Sequence, residues 1–506
     1  MSKEQLLEKL HALDRECNLL EKAAAVLRWD QETCLPELGV EGRAEQLALL
    51  EGIHHEKFTA PGTGRLLEEL GSVSENPGGD EKLAPPERDF LKVLRRAYDR
   101  EVRLPPDFVA GAARAEGLSQ AAWVQARKNN DFAAFLPHLE KMIDFSRRRS
   151  LYWGYSENPY DGLLDIYEPG MPAAAIEAVF GPLKDHLNGL LKKITARPQV
   201  DASFLDKEFD TGAQALFSRE LLKRLGFDTR RGRLDLSAHP FTTTLGADDI
   251  RITTRYILKD PLSSIFSTIH EAGHAFYEMG FPREIRGGCL ADGASMGIHE
   301  SQSRFWENVI GRSRPFWQGL FPVLCGYFPK ELRGVQTDDF YRALNQVKPS
   351  LIRIEADEVS YSLHIILRFE LERDIFSGRL APADLPAAWR TRMKETLGVE
   401  PETDAEGVLQ DIHWSQGSFG YFPSYALGNL YGLQIFEKMC ADIPGFEEDI
   451  SKGDFGTIRQ WLSDTIYIWG KRLYPPELLK KITGQSLKSE PFLNYIEEKY
   501  ADIYEF

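Results

Sequence analysis

Apolar residues recur at spacings of three and four along most of this chain, the pattern of helices that bury one face. Leu6, Leu7, Leu10, Leu13, Cys17, Leu20 and Ala24 form one such face. The stretch Trp29–Pro36 ends that helix, and Glu41–Gln46 opens the next. A series of amphipathic helices is predicted over residues 1–150, broken by an exposed loop over 72–86, where Gly, Pro, Ser and Glu crowd together. Between 200 and 260 the period drops to two. Arg233-Leu234-Asp235-Leu236-Ser237 alternates, and beyond Thr242–Thr244 and a turn at Gly246 the stretch Ile250–Tyr256 is rich in β-branched residues. These predict a small antiparallel sheet. Helical spacing then resumes, with one long helix predicted over Leu351–Leu371 and a helical tail from Trp461 to Phe506. The fold class is mainly α, with a small sheet just upstream of the most informative helix.

That helix starts at Asp260, a natural N-cap, with Pro261 at the first helical position. Leu262, Ile265, Phe266, Ile269, Phe276 and Met279 supply its apolar face, and Gly280 and Pro282 stop it. Inside it lies His270-Glu271-Ala272-Gly273-His274. At about 3.6 residues per turn the two imidazoles stand one above the other on one face. So placed they can share a metal ion, while Glu271, one step round, reaches a water on it. Burying two imidazoles and a carboxylate without partners would be costly, which favours a site over a core accident. A catalytic zinc needs a third protein ligand and an open fourth position. The stretch Gly297–Trp306 offers two, His299 and Glu300, the latter 26 residues after His274. Spacing does not choose between them.

Composition narrows the partners. The 506 residues are 42% apolar, ample for a large core, and no long flexible linker divides them. A formal charge of −16 argues against nucleic acid and against anionic membrane. Met1–Gln5 lacks the apolar core of a secretory signal, and no run of about 18 apolar residues marks a membrane span. Five scattered cysteines without a CxxC pair read as reduced thiols. A cytoplasmic enzyme is expected. The Arg147–Arg149 cluster reads as a solvated helix face, Asp30 and Glu32 as cap or hinge contacts, and His364 as a core histidine.

The motifs taken together resemble the carboxypeptidase Taq family, the M32 metallocarboxypeptidases. His270-Glu271-x-x-His274 followed by His299-Glu300-Ser301-Gln302 carries the likeness. So do Asp249-x-Arg251-x-Thr253 and Gly407-x-x-Gln410-Asp411-x-His413-Trp414, and the match spans nearly the whole chain. The resemblance selects Glu300 as third ligand beside His270 and His274. It implies a gluzincin body like that of neurolysin and ACE, with a deep active-site groove. One domain over 1–506 is implied, with 1–200 as helical lid or groove wall and 201–506 as the catalytic part. It also implies a homodimer. Near Ile352–Asp357 it makes Arg353 a candidate receptor for the substrate's terminal carboxylate, with Arg251 as runner-up. One departure stands out: Tyr467 occupies a position where the family leads us to expect His.

The expected activity is removal of C-terminal residues from peptides with broad specificity. Zn²⁺ is the expected ion, with Co²⁺ or Mn²⁺ as alternatives, and Glu271 the general base. The loop after Gly407 carries His413 and Tyr421, candidate donors to an oxyanion. Asp249, Arg251, Gln410 and Tyr425 complete the candidate substrate contacts, although Asp249 and Arg251, two apart on a strand, would serve equally as a structural ion pair. Phe419 and Phe422 read as aromatic packing. An oligopeptidase with the same ligands is the nearest alternative; a non-catalytic peptide-binding metalloprotein is the distant one, disfavoured by Glu271.

Overall fold

Helix after helix begins at a residue that the sequence marks as a cap. The side chains of Ser2, Asp131, Asn158, Asp260 and Asp357 each accept a backbone N–H from the first turn that follows. In this computed structural model, which describes residues 1–75, 83–155 and 157–506, twenty α-helices and three short strands result. The loop expected over 72–86 lies largely outside the described residues; 72–75 complete the helix Pro61–Glu75 and Pro85 opens the next. Among the described residues no helix is long and apolar enough to cross a membrane.

The strands are β1 (Gly232–Leu236), β2 (Thr242–Gly246) and β3 (Asp249–Thr254), in the order β1-β3-β2. β2 and β3 form an antiparallel hairpin, whereas β1 runs parallel to β3. The sheet is therefore mixed, not antiparallel throughout. Alternation reports strands but not their direction, and residues 237–241 carry the chain across the end of β3 before it turns back. Thr253 stabilises that crossing: its hydroxyl accepts from Ser237 at 2.7 Å and from the Phe241 N–H at 2.9 Å. Ile250 and Ile252 on the central strand are wholly buried. Among the described residues β2 pairs on one side only, with β3.

The helix Pro261–Gly280, hereafter the motif helix, has the predicted bounds and cap, with Asp260 accepting from Ser263 at 3.1 Å. The predicted helix over Leu351–Leu371 is shorter at its start. Asp357 accepts from the N–H groups of Val359 and Ser360, so the helix begins afresh at Glu358 and runs to Phe376. Arg353 consequently sits on a separate 3₁₀ turn, Arg353–Glu355. The arginine cluster is only partly solvated: Arg147 donates to the Ile375 carbonyl at 2.6 Å. The helix carrying Glu300 spans Met296–Arg304 and passes into a π-helical turn, Phe305–Ile310.

Glu168, at the end of the helix Pro159–Tyr167, fixes the start of the Glu300 helix. It is fully buried, and one carboxylate oxygen accepts both the Gly297 N–H and the Ser424 hydroxyl. Burial pushes its carboxyl up from 4.5 to about 7, against the pull of hydrogen bonds from Ser424, Gly297 and Ser295. A raised acid favours the fold most below its unfolded value, and that benefit is lost as pH rises from about 4.5 through about 7. Glu168→Gln keeps an acceptor for Gly297 and Ser424 and removes the buried charge. Thermal unfolding should show the variant gaining on the parent by on the order of 1–3 kcal/mol at pH 8 and by little at pH 5.

Candidate metal centre and active site

Glu300 and the two motif histidines converge. His270 Nε2 lies 3.5 Å and His274 Nε2 3.6 Å from the same Glu300 oxygen, and one donor atom from each residue falls within 4.8 Å of the others. Ligands of a tetrahedral ion at roughly 2.1 Å stand about 3.4 Å apart, so two imidazole nitrogens and a carboxylate oxygen here suit one divalent metal.

Glycines allow the convergence. A Cβ on Gly273 of the motif helix would stand 2.7 Å from the Gln302 carbonyl oxygen and the Ser303 Cα of the Glu300 helix. A Cβ on Gly428, on the helix Pro423–Asp442, would lie 2.6 Å from Glu300 Cγ. Both approaches are closer than any side chain permits, so the Glu300 helix is gripped between two glycines. Glu300 is then locked by Arg304, which donates to one oxygen at 2.7 Å, and Ser303, which donates to the other at 2.9 Å.

Behind His270 stands Glu307, whose carboxylate is 2.8 Å from Nδ1. Arg304 and Arg312 contact the same carboxylate at 3.2 and 3.4 Å. Burial would raise the Glu307 carboxyl, but Arg304, His270 and Arg312 together hold it far below its usual range. For His270, burial opposes the charge, yet Glu300 and Glu307 push it up to about 9. Sequence reasoning missed Glu307. The signal was the stripe Glu300, Arg304, Glu307, spaced four and three apart on an apolar helix.

Glu271 is buried, and the Thr242 hydroxyl of β2 donates to its carboxylate at 2.6 Å. Burial raises its pKa, partly countered by His270 and Thr242, which leaves a carboxylate disposed to take a proton. His299, the rival ligand, is not in the cluster. It lies behind His274, the two Nδ1 atoms 2.6 Å apart, and meets Glu278 through Nε2 at 2.9 Å. A groove of about 1040 Å³ is lined by Thr242–Thr244, Glu278 and His299 together with first-helix residues such as Asp14 and Cys17; it reaches the contacts of the cluster rather than His270, His274 or Glu300 themselves.

A second polar cluster adjoins the first. Arg304 stacks over the Tyr361 ring at 4.4 Å, and Arg353 reaches the Tyr361 hydroxyl at 3.5 Å. Arg353 and the wholly buried Arg368 share one carboxylate, Asp411, at 2.9 and 2.6 Å. Gln410 accepts from the Arg353 N–H at 3.0 Å and from Arg368 at 2.8 Å. Two cations to one anion leave a positive surplus. Nearby His364 does not add to it: burial, then Arg368, lowers it to about 3, and its Nε2 meets the Ser350 carbonyl at 3.1 Å. His413 packs against Tyr421 with centroids 5.4 Å apart and lies 3.3 Å from the Tyr425 hydroxyl. Burial drops His413 to about 4 and lifts Tyr421 to about 12, so both are neutral at pH 7. The loop that carries them is tied down by buried Glu372, which accepts from Trp414, Tyr160 and the Gly420 N–H.

Asp249 and Arg251 pair with each other through two hydrogen bonds of 2.9 Å, and Arg251 stacks over Trp29 at 4.5 Å. Tyr467 is buried against the motif helix, where a Cβ on Gly280 would collide with its ring. It also packs on Tyr277, centroids 5.2 Å apart, which makes it a core residue.

The family model described as "Carboxypeptidase Taq (M32) metallopeptidase" matches residues 9–500. The chain belongs to this family. It is 41% identical over 488 residues to carboxypeptidase 1 of Bacillus subtilis (strain 168), covering 96% of this chain and 95% of the relative. Thermostable carboxypeptidase 1 of Thermus thermophilus is 40% identical over 516 residues, the whole of both chains. The crystal structure of an M32 carboxypeptidase from Deinococcus radiodurans R1 superimposes with a TM-score of 0.96 at 38% identity, covering 99% of this chain and all of the other. As an M32 member the chain is a metal-dependent carboxypeptidase, a hydrolase of peptides.

The grip on the Glu300 helix is testable. Gly428→Ala should push Glu300 from the histidines, weakening metal binding at least tenfold in a chelator competition. Overpacking should also cost the metal-free protein about 1–3 kcal/mol in denaturant unfolding. Unchanged metal affinity would show that the close approach does not set the third donor.

Proposed function

We propose that the enzyme removes residues singly from free peptide C-termini, with broad side-chain tolerance, using His270, His274 and Glu300 to hold Zn²⁺ (Co²⁺ or Mn²⁺ as alternatives). The observation that carries this reading is the convergence of those three donors beside Glu271. When bound, the ion supplies Lewis acidity that acidifies water and polarises a carbonyl. Glu271 takes a proton from the attacking water and delivers it to the leaving amine. Thr242 steers that carboxylate. His413 and Tyr421, both uncharged donors, offer hydrogen bonds to the developing oxyanion.

The exopeptidase step rests on Arg353. Its cluster has one positive charge more than Asp411 can neutralise, and a substrate's terminal carboxylate supplies the missing anion in the bidentate geometry arginine favours. Gln410 and Tyr425 brace that pocket. Arg251, paired with Asp249, is the weaker candidate. The edge of β2 away from β3 offers main-chain pairing to an extended peptide, a recognition mode indifferent to side chains. Residues 1–200 serve as lid and wall and 201–506 as the catalytic part, since the first helix lines the groove together with β2. A homodimer accords with the apolar side chains that the first two helices expose, Leu19 at 69% and Leu49 at 65% among them. A cytoplasmic location accords with five unpaired cysteines.

Glu271→Gln should retain stoichiometric metal while kcat falls by about 10² to 10⁴; full hydrolysis would remove Glu271 from the base role. Arg353→Met should lower kcat/KM for free-acid peptides by roughly tenfold to a hundredfold and leave amidated peptides unaffected. On a peptide ladder the products should shorten by one residue at a time from the C-terminus. Internal cuts, or equal rates on amidated substrates, would make the enzyme an oligopeptidase.

A further inference from the structure

The two motif histidines are supported differently. His270 presents Nδ1 directly to a carboxylate, Glu307, which is sealed in the protein and gripped by Arg304 and Arg312. Among the described residues, an imidazole and not a carboxylate stands behind His274. Its Nδ1 lies 2.6 Å from His299 Nδ1, His299 Nε2 lies 2.9 Å from Glu278, and the other Glu278 oxygen accepts from the Thr244 hydroxyl at 2.9 Å. With Nε2 of His274 turned to the cluster, its one ring proton must sit on Nδ1. The direction of each remaining bond then follows. His274 Nδ1–H donates to His299 Nδ1, and His299 must therefore carry its own proton on Nε2. That proton goes to Glu278, which has no donor to offer in return.

We propose that His299 and Glu278 are positioning residues for the metal: a two-member relay, anchored by Thr244 on β2, that holds His274 in its ligating tautomer and ring orientation. This rests on the reading of His270, His274 and Glu300 as metal donors. It also gives His299, beside Glu300 in sequence, a role other than ligation. Alone among the partners of the histidines, this relay borders the groove: Thr244, Glu278 and His299 all line it, whereas Glu307 does not.

The test uses the full-length chain. Affinity for Zn²⁺ is measured by competition with a chromophoric chelator, and the visible spectrum is recorded after Co²⁺ loading. His299→Leu removes the acceptor; it should weaken Zn²⁺ binding by about tenfold to a hundredfold and shift the Co²⁺ bands. His299→Asn can still present an oxygen to His274 and should recover most of the affinity. Glu278→Gln, which alters no volume, should weaken binding severalfold and serves if His299→Leu fails to fold. Parental affinity and spectrum in folded His299→Leu, or in Glu278→Gln, would overturn the relay. His274→Ala separates the two levels: if it retains stoichiometric metal, the donor assignment itself is wrong, and if it loses metal while the relay variants bind like the parent, only the relay is wrong.

Discussion

Everything at this site depends on how closely the motif helix and the Glu300 helix pass each other. A carboxylate and two imidazoles can share one ion only if their helices cross with almost nothing between them, and Gly273 is what occupies the crossing. It lies inside the five-residue motif, between Glu271 and the second histidine. Gly428 closes the approach from the opposite side. Packing here determines chemistry, because a shift of one methyl group is comparable with the tolerance of a coordination site.

The same closeness creates an electrostatic difficulty that the charged residues resolve. His270, His274, Glu271, Glu300, Glu307 and Arg304 are crowded into one buried or half-buried region. Carboxylates and cations alternate through it, from Glu307 to Arg304 to Glu300, then across Tyr361 to Arg353, Asp411 and Arg368. Such alternation is what lets ionised groups remain inside a protein without large desolvation losses. Arg304 balances Glu300, whereas Arg353 and Arg368 together carry one charge more than Asp411 neutralises.

Much of this was legible in the chain itself. Caps and apolar spacing located the motif helix to the residue, because Asp260, Pro261 and Gly280 act locally. The helical body followed from period, and the resemblance named Glu300 as the residue that converges with His270 and His274. Strand direction did not, since alternation at Arg233–Ser237 is the same whether the neighbour runs parallel or antiparallel. The start of the helix at Glu358 was hidden by apolar residues continuing upstream through Ile354, Ile352 and Leu351, which overrode the cap signal of Asp357. The partners of His270 and His274 were invisible for a different reason. Glu307 and His299 lie on the Glu300 helix and its π-helical continuation, and only the crossing of that helix with the motif helix makes them neighbours.

Glu307 reaches His270 from within the π-helical turn Phe305–Ile310. A π turn amounts to one residue more than an α-helix would use over the same rise. Upstream of it, the helix is phased by Glu300; at its own end, Val309 and Ile310 are phased by the core, where both are buried. The added residue uncouples those two phases, so one continuous rod answers to two different neighbours. The tolerance of the helix to change is correspondingly uneven: a surface substitution within it is a local event, whereas loss or gain of a single residue rotates one functional half against the other.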